Sequence, residues 1–337
     1  MKECNVAILG ATGAVGQQMM KVLEERSFPL KRLLPLASAR SAGKQLPFRG
    51  EMLTVEEATE ASFAGMDIVL GAVSNEMSKH FAPFIQSSGA VFIDNSSAFR
   101  LRDDVPLVVP EINPEDAFLH HGIIANPNCS TIITMVALGG IRRLTAIDKM
   151  VACTYQAVSG AGQHGITELE EQLRAVNTGE PIHPQVFPCQ IVSNVIPQIG
   201  STCENGYTTE EMKMQNEGRK IMHLPDLQVC CTCVRVPVMR SHSISVQLVT
   251  HDPISVEDAC RAIAAAPGCV LTENLNGRNY PTPLDTSDQD LVYVGRVRRD
   301  LLSGDHGLAL WCCGDQVRKG AATNAVQIAE LLAAKNA

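Results

Sequence analysis

A glycine-spaced turn near the amino terminus is the feature that most restricts the fold of this chain. The apolar run Asn5-Val6-Ala7-Ile8-Leu9 ends at Gly10, and Gly10-Ala-Thr-Gly13-Ala-Val-Gly16 then leads into a helix-like stretch, 17–26. A buried strand, a glycine turn and a helix in this order are typical of a dinucleotide-binding domain, with the pyrophosphate on the helix N-terminus. The spacing is G-x-x-G-x-x-G, so the prediction depends on the flanking strand and helix. A glycine-rich tight turn is the alternative.

The end of the next predicted strand indicates which nucleotide fits. Strand 32–37 runs into Ser38-Ala39-Arg40-Ser41-Ala42-Gly43-Lys44. An NAD-binding domain usually has Asp or Glu here to hold the ribose hydroxyls. This loop has no acid, and Arg40 with Ser38 or Ser41 can bind a 2′-phosphate. The sequence therefore predicts NADP, and a solvated basic turn is the alternative.

A cysteine lies where this first region ends. Buried parallel strands are predicted at 66–72, 90–94 and 123–125, and the last precedes Pro127-Asn128-Cys129-Ser130-Thr131 and an apolar helical run. Free N–H groups at a helix start stabilise a thiolate, lowering its pKa from about 8.5, and can hold an oxyanion. Cys129 is therefore a candidate nucleophile, with a buried structural cysteine as the alternative.

The pattern of the chain changes after Cys129. Strands are predicted at 150–158, 230–236, 243–250, 291–298 and 308–313, and helices at 168–177, 209–222 and 256–266. An amphipathic helix from Lys319 onward is expected to return to the first domain. The predicted fold class is α/β: a Rossmann-like doubly wound domain (residues 1–128 plus 321–337) and an α+β catalytic and dimerisation domain (129–320) with a mostly antiparallel sheet.

Composition excludes several classes of function. The chain has 337 residues, 45% of them hydrophobic and 19% charged, and a net charge of −8. The negative charge argues against nucleic-acid and anionic-membrane binding, and no apolar run is long enough to span a membrane. No signal peptide is expected, and the 12 cysteines show neither a disulfide framework nor zinc spacing. A cytoplasmic protein with free thiols and no metal is predicted.

The second domain carries a group of polar residues suited to thioester chemistry on an aldehyde. Such chemistry needs a nucleophile, a base and an anchor for the substrate. Tyr155-Gln156-Ala157-Val158-Ser159-Gly160-Ala161-Gly162 ends a strand in a polar loop, and Arg235 and His242 lie seven residues apart in Arg235-Val-Pro-Val-Met-Arg240-Ser241-His242-Ser243. Together with Cys129, these residues provide each required role.

Over essentially its whole length the chain resembles the aspartate-semialdehyde dehydrogenases of the bacterial type. The matching stretches are 10–16, 37–44, 96–100, 109–114, 126–131, 155–162, 194–198, 210–214, 235–243 and 279–283. Each is weak alone, and together they are specific. The resemblance implies NADPH-dependent, reversible reduction of 4-phospho-L-aspartate to L-aspartate 4-semialdehyde through a cysteine thioester. That reaction belongs to the biosynthesis of lysine, threonine, methionine and, in bacteria, diaminopimelate.

The resemblance also implies roles for individual residues. Cys129 would be the nucleophile, His242 the acid/base and Gln156 the group that orients the acyl carbon. Substrate and phosphate would be held by Arg235, Glu211, Arg100, Lys213 and Asn128. Because Glu211 and Lys213 are two apart on a predicted helix, they do not share a face. NADP would contact Gly10, Thr12, Gly13, Ala14, Val15, Ser38, Arg40, Ser41, Ser159, Gly160 and Asn324. A homodimer is expected, with a tetramer as the alternative.

Two stretches depart from the family's pattern. Val73-Ser74-Asn75-Glu76 stands where relatives commonly have Ala-Gly-Gly-Ser, and Ser241 stands where many have Gly. The first leaves nucleotide contacts there unassigned, and the second leaves the backbone geometry at His242 open. The alternative functions are an N-acetyl-glutamyl-phosphate reductase-like enzyme, a non-catalytic NADP-binding regulator and a thiol redox sensor.

Overall fold

The computed structural model describes residues 2–335, which divide into two compact units. The first unit contains the residues up to Asn128 together with those from Ala321 onward, and the second is Cys129–Gly320. The predicted first domain also contains Met1 and residues 336–337, which lie outside the described residues.

The first unit is built on a parallel six-stranded sheet. Its elements are β1 (Cys4–Leu9), α1 (Ala14–Glu25), β2 (Leu30–Ala37), the hairpin β3 (Gln45–Phe48) and β4 (Glu51–Thr54), β5 (Glu56–Glu57), β6 (Ile68–Gly71), α2 (Asn75–Ser87), β7 (Val91–Asp94) and β8 (Ile123–Ala125). The sheet order β5-β2-β1-β6-β7-β8 is that of a doubly wound fold. The strand order reverses beside β1, so its carboxyl end is where such sheets bind ligands.

The second unit is built on a mixed six-stranded sheet. Its elements are α3 (Cys129–Leu144), β9 (Ile147–Gln156), α4 (Gln163–Thr178), α5 (Thr209–Met222), β10 (Gln228–Arg235), β11 (His242–Thr250), α6 (Val256–Ala265), β12 (Cys269–Leu271), α7 (Pro283–Thr286), β13 (Val292–Arg299) and β14 (Gly307–Gly314). The order is β10-β9-β11-β14-β13-β12, with parallel pairs at the two ends and three antiparallel pairs between them. The α/β class with a mostly antiparallel second sheet is confirmed.

The last helix, α8 (Thr323–Lys335), completes the core of the first unit. Its apolar face, including Val326, Ile328 and Leu332, is buried in the same core cluster as Val6, Ile8 and Leu70 of the sheet. The Arg26 guanidinium after α1 donates two hydrogen bonds to Glu330, at 2.8 and 2.7 Å. A π-helical turn, Arg318–Ala322, precedes α8, so the regular helix begins four residues after the predicted Lys319.

The short elements are those that the sequence patterns did not indicate: β3, β4, β5, β12 and α7. β5 and β12 have two and three residues, too few to show an alternation of apolar and polar side chains. None of the helices in residues 2–335 is long and apolar enough to cross a membrane.

Candidate active site

Cys129 is the first residue of α3 and is partly buried. The chain turns there from β8 through Pro127 and Asn128, and the N–H groups of the first helical turn have no carbonyl partners within the helix. A sulfur at this position lies at the positive end of the helix dipole. Gly320 is close enough that a Cβ built on it would lie 2.9 Å from the Cβ of Cys129, so the turn at Gly320 leaves no room for a larger residue.

His242 meets the cysteine from the start of β11. Its Nε2 lies 3.5 Å from Cys129 Sγ, and its Nδ1 accepts a hydrogen bond of 3.1 Å from the backbone N–H of Ala157. The side chain is completely buried. Burial and the neighbouring Arg235 charge lower the pKa of His242 to about 3, although Glu210 acts in the opposite direction. The imidazole is therefore neutral at physiological pH.

Gln156, the last residue of β9, has a fixed amide orientation. Its Oε1 accepts a 2.9 Å hydrogen bond from the Thr154 hydroxyl, and its Nε2 donates to Glu210 Oε1 at 3.2 Å. Thr154 and Gln156 are both buried. Because a hydroxyl donor meets the carbonyl and a carboxylate meets the NH₂, both neighbours favour the same orientation. The NH₂ group thereby lies 3.5 Å from His242 Nε2.

Arg235 brings a buried positive charge to the same place. It is the last residue of β10 and is opposite Gln156 in the parallel register of β10 and β9. Its Nη1 donates a 2.6 Å hydrogen bond to the carbonyl of Ala157. A Cβ added to Gly160 would lie 2.7 Å from that nitrogen and 3.3 Å from His242 Cε1. A guanidinium here is suited to two-point binding of a carboxylate.

The acid that contacts Gln156 in this cluster is Glu210, and the substrate role of Glu211 stays a prediction. Glu210 accepts from Gln156 and from Lys213 Nζ at 2.8 Å, whereas the Glu211 oxygens accept from the backbone N–H groups of Thr208 and Cys233. Thr208 and Glu211 form a capping box at the start of α5. The sequence contains both signals, since Thr-x-x-Glu predicts a capping box and an i, i+3 spacing puts Glu210 and Lys213 on one face.

Ser241 holds His242 through a left-handed backbone. Its φ is 74°, a conformation that favours glycine. Two hydrogen bonds stabilise it: the Ser241 N–H donates to Gln316 Oε1 at 2.8 Å, and its hydroxyl lies 2.5 Å from that of Thr286. The Gln316 NH₂ also donates to the Ser159 hydroxyl. The serine that departs from the family's glycine is thus accommodated by specific partners.

In the first unit, the polar edge of the sheet is closely hydrogen-bonded. Arg100 is buried and donates to the carbonyls of Asn126 and Asn95, at 2.9 and 2.7 Å. Asn324 is fully buried and donates to the Val108 carbonyl and to Asn126 Oδ1. These bonds account for Asn324 as a structural residue, and its assignment to the cofactor stays a prediction, as do the phosphate role of Arg100 and the substrate role of the buried Asn128.

The glycine turn has the geometry that a pyrophosphate requires. Gly10 has a φ of 92°, and a Cβ there would lie 2.4 Å from the Ala72 carbonyl oxygen. Gly13 is the exposed N-cap of α1, so Thr12, Gly13, Ala14 and Val15 surround the helix N-terminus. Arg40 and Ser38 are exposed after β2, whereas Ser41 is buried. Exposed cationic and hydroxyl groups beside an uncapped helix start fit a dinucleotide with a 2′-phosphate.

The remaining predicted positions lie in ordered surroundings. Ser74 is the N-cap of α2, and Asn75 exchanges hydrogen bonds with Ser97, which explains the polar stretch in place of Ala-Gly-Gly-Ser. Ser159 is buried and Gly160 exposed in the turn after Gln156. Within residues 2–335 no group of three or more His, Cys, Asp or Glu could hold a metal ion.

Comparison with known proteins identifies the class of protein to which the chain belongs. Two protein-family models match the chain: "Semialdehyde dehydrogenase, NAD binding domain" over residues 5–120 and "Semialdehyde dehydrogenase, dimerisation domain" over residues 138–319. The fold and the two matching models therefore define the class of this protein as that of the semialdehyde dehydrogenases.

Relatives that match the full length narrow this class. Aspartate-semialdehyde dehydrogenases of Bacillus subtilis and a Synechocystis species are 48% and 49% identical to the chain, over 97% of it and over 97% and 96% of their own lengths. The crystal structure of aspartate semialdehyde dehydrogenase II complexed with ASA, from Vibrio cholerae, has a TM-score of 0.95 and 46% identity, covering 98% of both chains. The chain belongs to the aspartate-semialdehyde dehydrogenase family.

Proposed function

We propose that the protein is an NADP-dependent aspartate-semialdehyde dehydrogenase. It converts 4-phospho-L-aspartate and NADPH into L-aspartate 4-semialdehyde, phosphate and NADP⁺, reversibly and through a thioester on Cys129. The observation that carries the proposal is the 3.5 Å approach of Cys129 Sγ to the buried His242, with Gln156 and Arg235 beside them. These are the groups that thioester chemistry on a carboxylate-bearing substrate needs.

The residues of the cluster have distinct tasks in this reaction. The Cys129 thiolate attacks the acyl carbon and phosphate leaves. Arg235 binds the α-carboxylate of the substrate. Glu210, whose buried carboxylate accepts a hydrogen bond from Gln156, binds the α-ammonium group. The NH₂ group of Gln156 lies beside His242. From there Gln156 orients the acyl oxygen of the substrate. Lys213, which donates a hydrogen bond to Glu210, binds phosphate.

The nucleotide site of the first unit suits NADP. The pyrophosphate is held by the N–H groups at the start of α1, where the turn Gly10–Gly16 allows close approach, and the 2′-phosphate is held by Arg40 with Ser38. When bound, the cofactor supplies or accepts the hydride of the reaction. Asp and Glu are missing from residues 38–44, so no carboxylate repels the 2′-phosphate.

A homodimer is proposed from the second unit. Helices α3, α5 and α6 contact this sheet, and along β9 the burial alternates, so Val151 and Tyr155 are exposed on the opposite side from Ala152. Tyr155 packs against Trp311 of β14. An aromatic and aliphatic sheet face is suited to burial against a second copy. A Val151→Glu variant should shift the mass measured by light scattering from dimer to monomer.

The proposed activity is tested by NADPH formation. L-aspartate 4-semialdehyde, phosphate and NADP⁺ should give NADPH only when all three are present. N-acetyl-L-glutamate 5-semialdehyde should give none, and a signal with it would assign the chain to the related reductases. No signal with either substrate, despite bound NADP, would show that the protein is a regulator or a redox sensor.

A further inference from the structure

The guanidinium of Arg235 is buried and has few polar partners of its own. Within residues 2–335 its side chain makes one hydrogen bond, from Nη1 to the Ala157 carbonyl at 2.6 Å, and no salt bridge. A guanidinium carries five N–H donors, so most of them are available for a substrate carboxylate. One hydrogen bond does not fix the plane of the group. Its orientation therefore depends on the side chains that pack against it.

The aromatic ring of Phe187 packs against this guanidinium. The ring centroid lies 5.9 Å from Arg235 Cζ, which is within the range of a cation–π contact. Phe187 belongs to a buried apolar cluster in the second unit, whose other members are Val158, Leu169, Ile191, Val192 and Ile196. The backbone of Ile196 also exchanges two hydrogen bonds with that of Arg235, at 2.9 and 2.8 Å. The segment 181–197 thus contacts Arg235 with both a ring and its backbone.

A carboxylate of α4 holds the backbone at Phe187. The segment 181–197 has no helix and no strand of its own, so its buried N–H groups need partners from elsewhere. Glu168, itself buried, accepts from three successive N–H groups: that of Gln185 at 2.9 Å, that of Val186, and that of Phe187 at 3.4 Å. Hydrogen bonds to an ionised carboxylate are stronger than those between neutral groups. Glu168 therefore fixes the position from which the ring extends.

A second residue of α4 extends this support along the segment. Gln172 lies one helical turn after Glu168 and donates to it at 3.0 Å. The Gln172 carbonyl accepts from the N–H groups of Ile191 and Val192, at 2.9 and 3.1 Å. One face of α4 thus satisfies five N–H groups of a segment that has no regular structure. The segment is shaped by the side chains of the helix beside it.

We infer that Phe187 and Glu168 are positioning residues for Arg235: the Phe187 ring orients the guanidinium towards the α-carboxylate of the substrate, and Glu168 keeps that ring in place. Neither residue needs to touch the substrate. The inference rests on the proposed function, in which Arg235 binds this carboxylate. It gives the segment 181–197 a part in substrate recognition.

Such residues should affect substrate binding and leave the chemical step unchanged. The α-carboxylate keeps its charge throughout the reaction, so Arg235 binds it equally well in the ground state and in the transition state. Weakening an interaction of this kind raises KM and leaves kcat unchanged. The KM values for phosphate and NADP⁺ serve as internal controls, because neither ligand depends on this carboxylate contact.

Steady-state kinetics of Phe187→Leu test the ring. Leucine keeps the apolar cluster largely filled but has no π-system. We expect the KM for L-aspartate 4-semialdehyde to rise roughly three- to thirtyfold, which corresponds to the loss of a largely desolvated cation–π contact. The kcat and the KM values for phosphate and NADP⁺ should change little. Phe187→Tyr keeps an aromatic ring and should have a semialdehyde KM close to that of the unmutated protein.

Ile191→Val is the matched control for lost packing. It removes one methyl group from the same cluster and should lower the Tm by a few degrees without changing any KM. An unchanged semialdehyde KM in Phe187→Leu, or an equal rise in Ile191→Val, would overturn the inference. If Phe187→Leu does not fold, Phe187→Met gives the same comparison with a longer aliphatic side chain.

Glu168→Gln tests the support from α4. Glutamine replaces one of the two accepting oxygens by an NH₂ group, which cannot accept from the backbone donors around it. We expect the semialdehyde KM to rise in the same direction as in Phe187→Leu, with kcat again nearly unchanged. A lower Tm with an unchanged KM would reduce Glu168 to a purely structural residue.

Modification of Arg235 by phenylglyoxal tests the positioning without turnover. The modified peptide is quantified by mass spectrometry, which separates Arg235 from the other arginines. Phe187→Leu and Glu168→Gln should each speed this modification several-fold, and Ile191→Val should not, because only the first two release the guanidinium. Unchanged rates in both variants would contradict the inference. The measurement needs neither substrate nor cofactor, so an inactive protein that shows the expected rates would refute the proposed function alone.

Discussion

The nucleotide-binding turn of the first unit and the cluster around Cys129 in the second unit use different kinds of chemical group. The turn at Gly10 offers backbone N–H groups and two exposed side chains, Ser38 and Arg40. The cluster consists of buried side chains that bond to one another, such as Gln156 to both Thr154 and Glu210. A larger side chain in the turn is expected to disrupt it, because there is no space for the added atoms. A truncated side chain in the cluster is expected to be destabilising, because its hydrogen-bond partner is left buried and unsatisfied.

The largest expected effect is the loss of the nucleophile. Cys129→Ala should lower kcat by about 10⁴-fold or more, since the covalent route is removed, while NADP affinity measured by calorimetry stays unchanged. Cys189→Ala, at an exposed cysteine, is the matched control and should be fully active. Activity above a few per cent in Cys129→Ala would remove this residue from the nucleophile's role.

Two neighbouring glutamates, Glu210 and Glu211, are expected to differ in what their substitution affects, activity in one case and stability in the other. Glu210→Gln should lower kcat/KM for the semialdehyde about 100-fold, because a charged partner of the substrate is lost, with little change in Tm. Glu211→Gln should instead lower the free energy of unfolding by about 1–2 kcal/mol through its cap and backbone bonds, with kcat/KM nearly unchanged. The reverse pattern would assign the substrate role to Glu211.

The nucleotide loop should give a graded effect. Arg40→Ala removes one charge-assisted contact of about 1.5–3 kcal/mol, so NADP affinity should fall roughly ten- to a hundredfold. NAD binding and kcat at saturating cofactor should change little, because neither depends on the 2′-phosphate. Equal kcat/KM for NAD and NADP in the unmutated protein would show that this loop is only a solvated turn.

The smallest effect is expected at Thr154, whose hydroxyl donates a hydrogen bond to Gln156 Oε1. Thr154→Val keeps the shape and removes the hydroxyl, so the Gln156 amide loses one of the two bonds that orient it. We expect kcat to fall about tenfold, in line with one neutral hydrogen bond, and the Tm to fall by a few degrees because the buried Gln156 Oε1 loses its donor. Thr154→Ser should restore the activity, and a Thr154→Ser variant as slow as Thr154→Val would mean that packing, not the hydroxyl, matters.

The sequence was informative where a pattern is local and repeated. The strand, glycine turn and helix at the amino terminus were readable, and the predicted helix 209–222 has the bounds of α5. The sequence indicates Cys129 and His242 separately, and the two residues, 113 apart in the chain, meet because α3 packs against the sheet that contains β9 and β11. The N–H of Ala157 has no sequence signature at all, since every residue except proline carries one. The choice of Glu210 over Glu211 depends on the phase of a helix, which a family resemblance alone did not resolve.

The return of α8 to the first unit has a consequence for synthesis. Every residue of Cys129–Gly320 leaves the ribosome before α8 does, yet the apolar faces of Val326, Ile328 and Leu332 belong to the core around β1 and β6. The sheet of the first unit is synthesised first, but part of its core stays uncovered until α8 has been made. The second unit can fold during that time. An exposed apolar surface that persists for the translation of about 190 residues, roughly 10–40 seconds, is a target for chaperones. The dependence of this protein on them should lie in its first unit, although that unit is the first to be made.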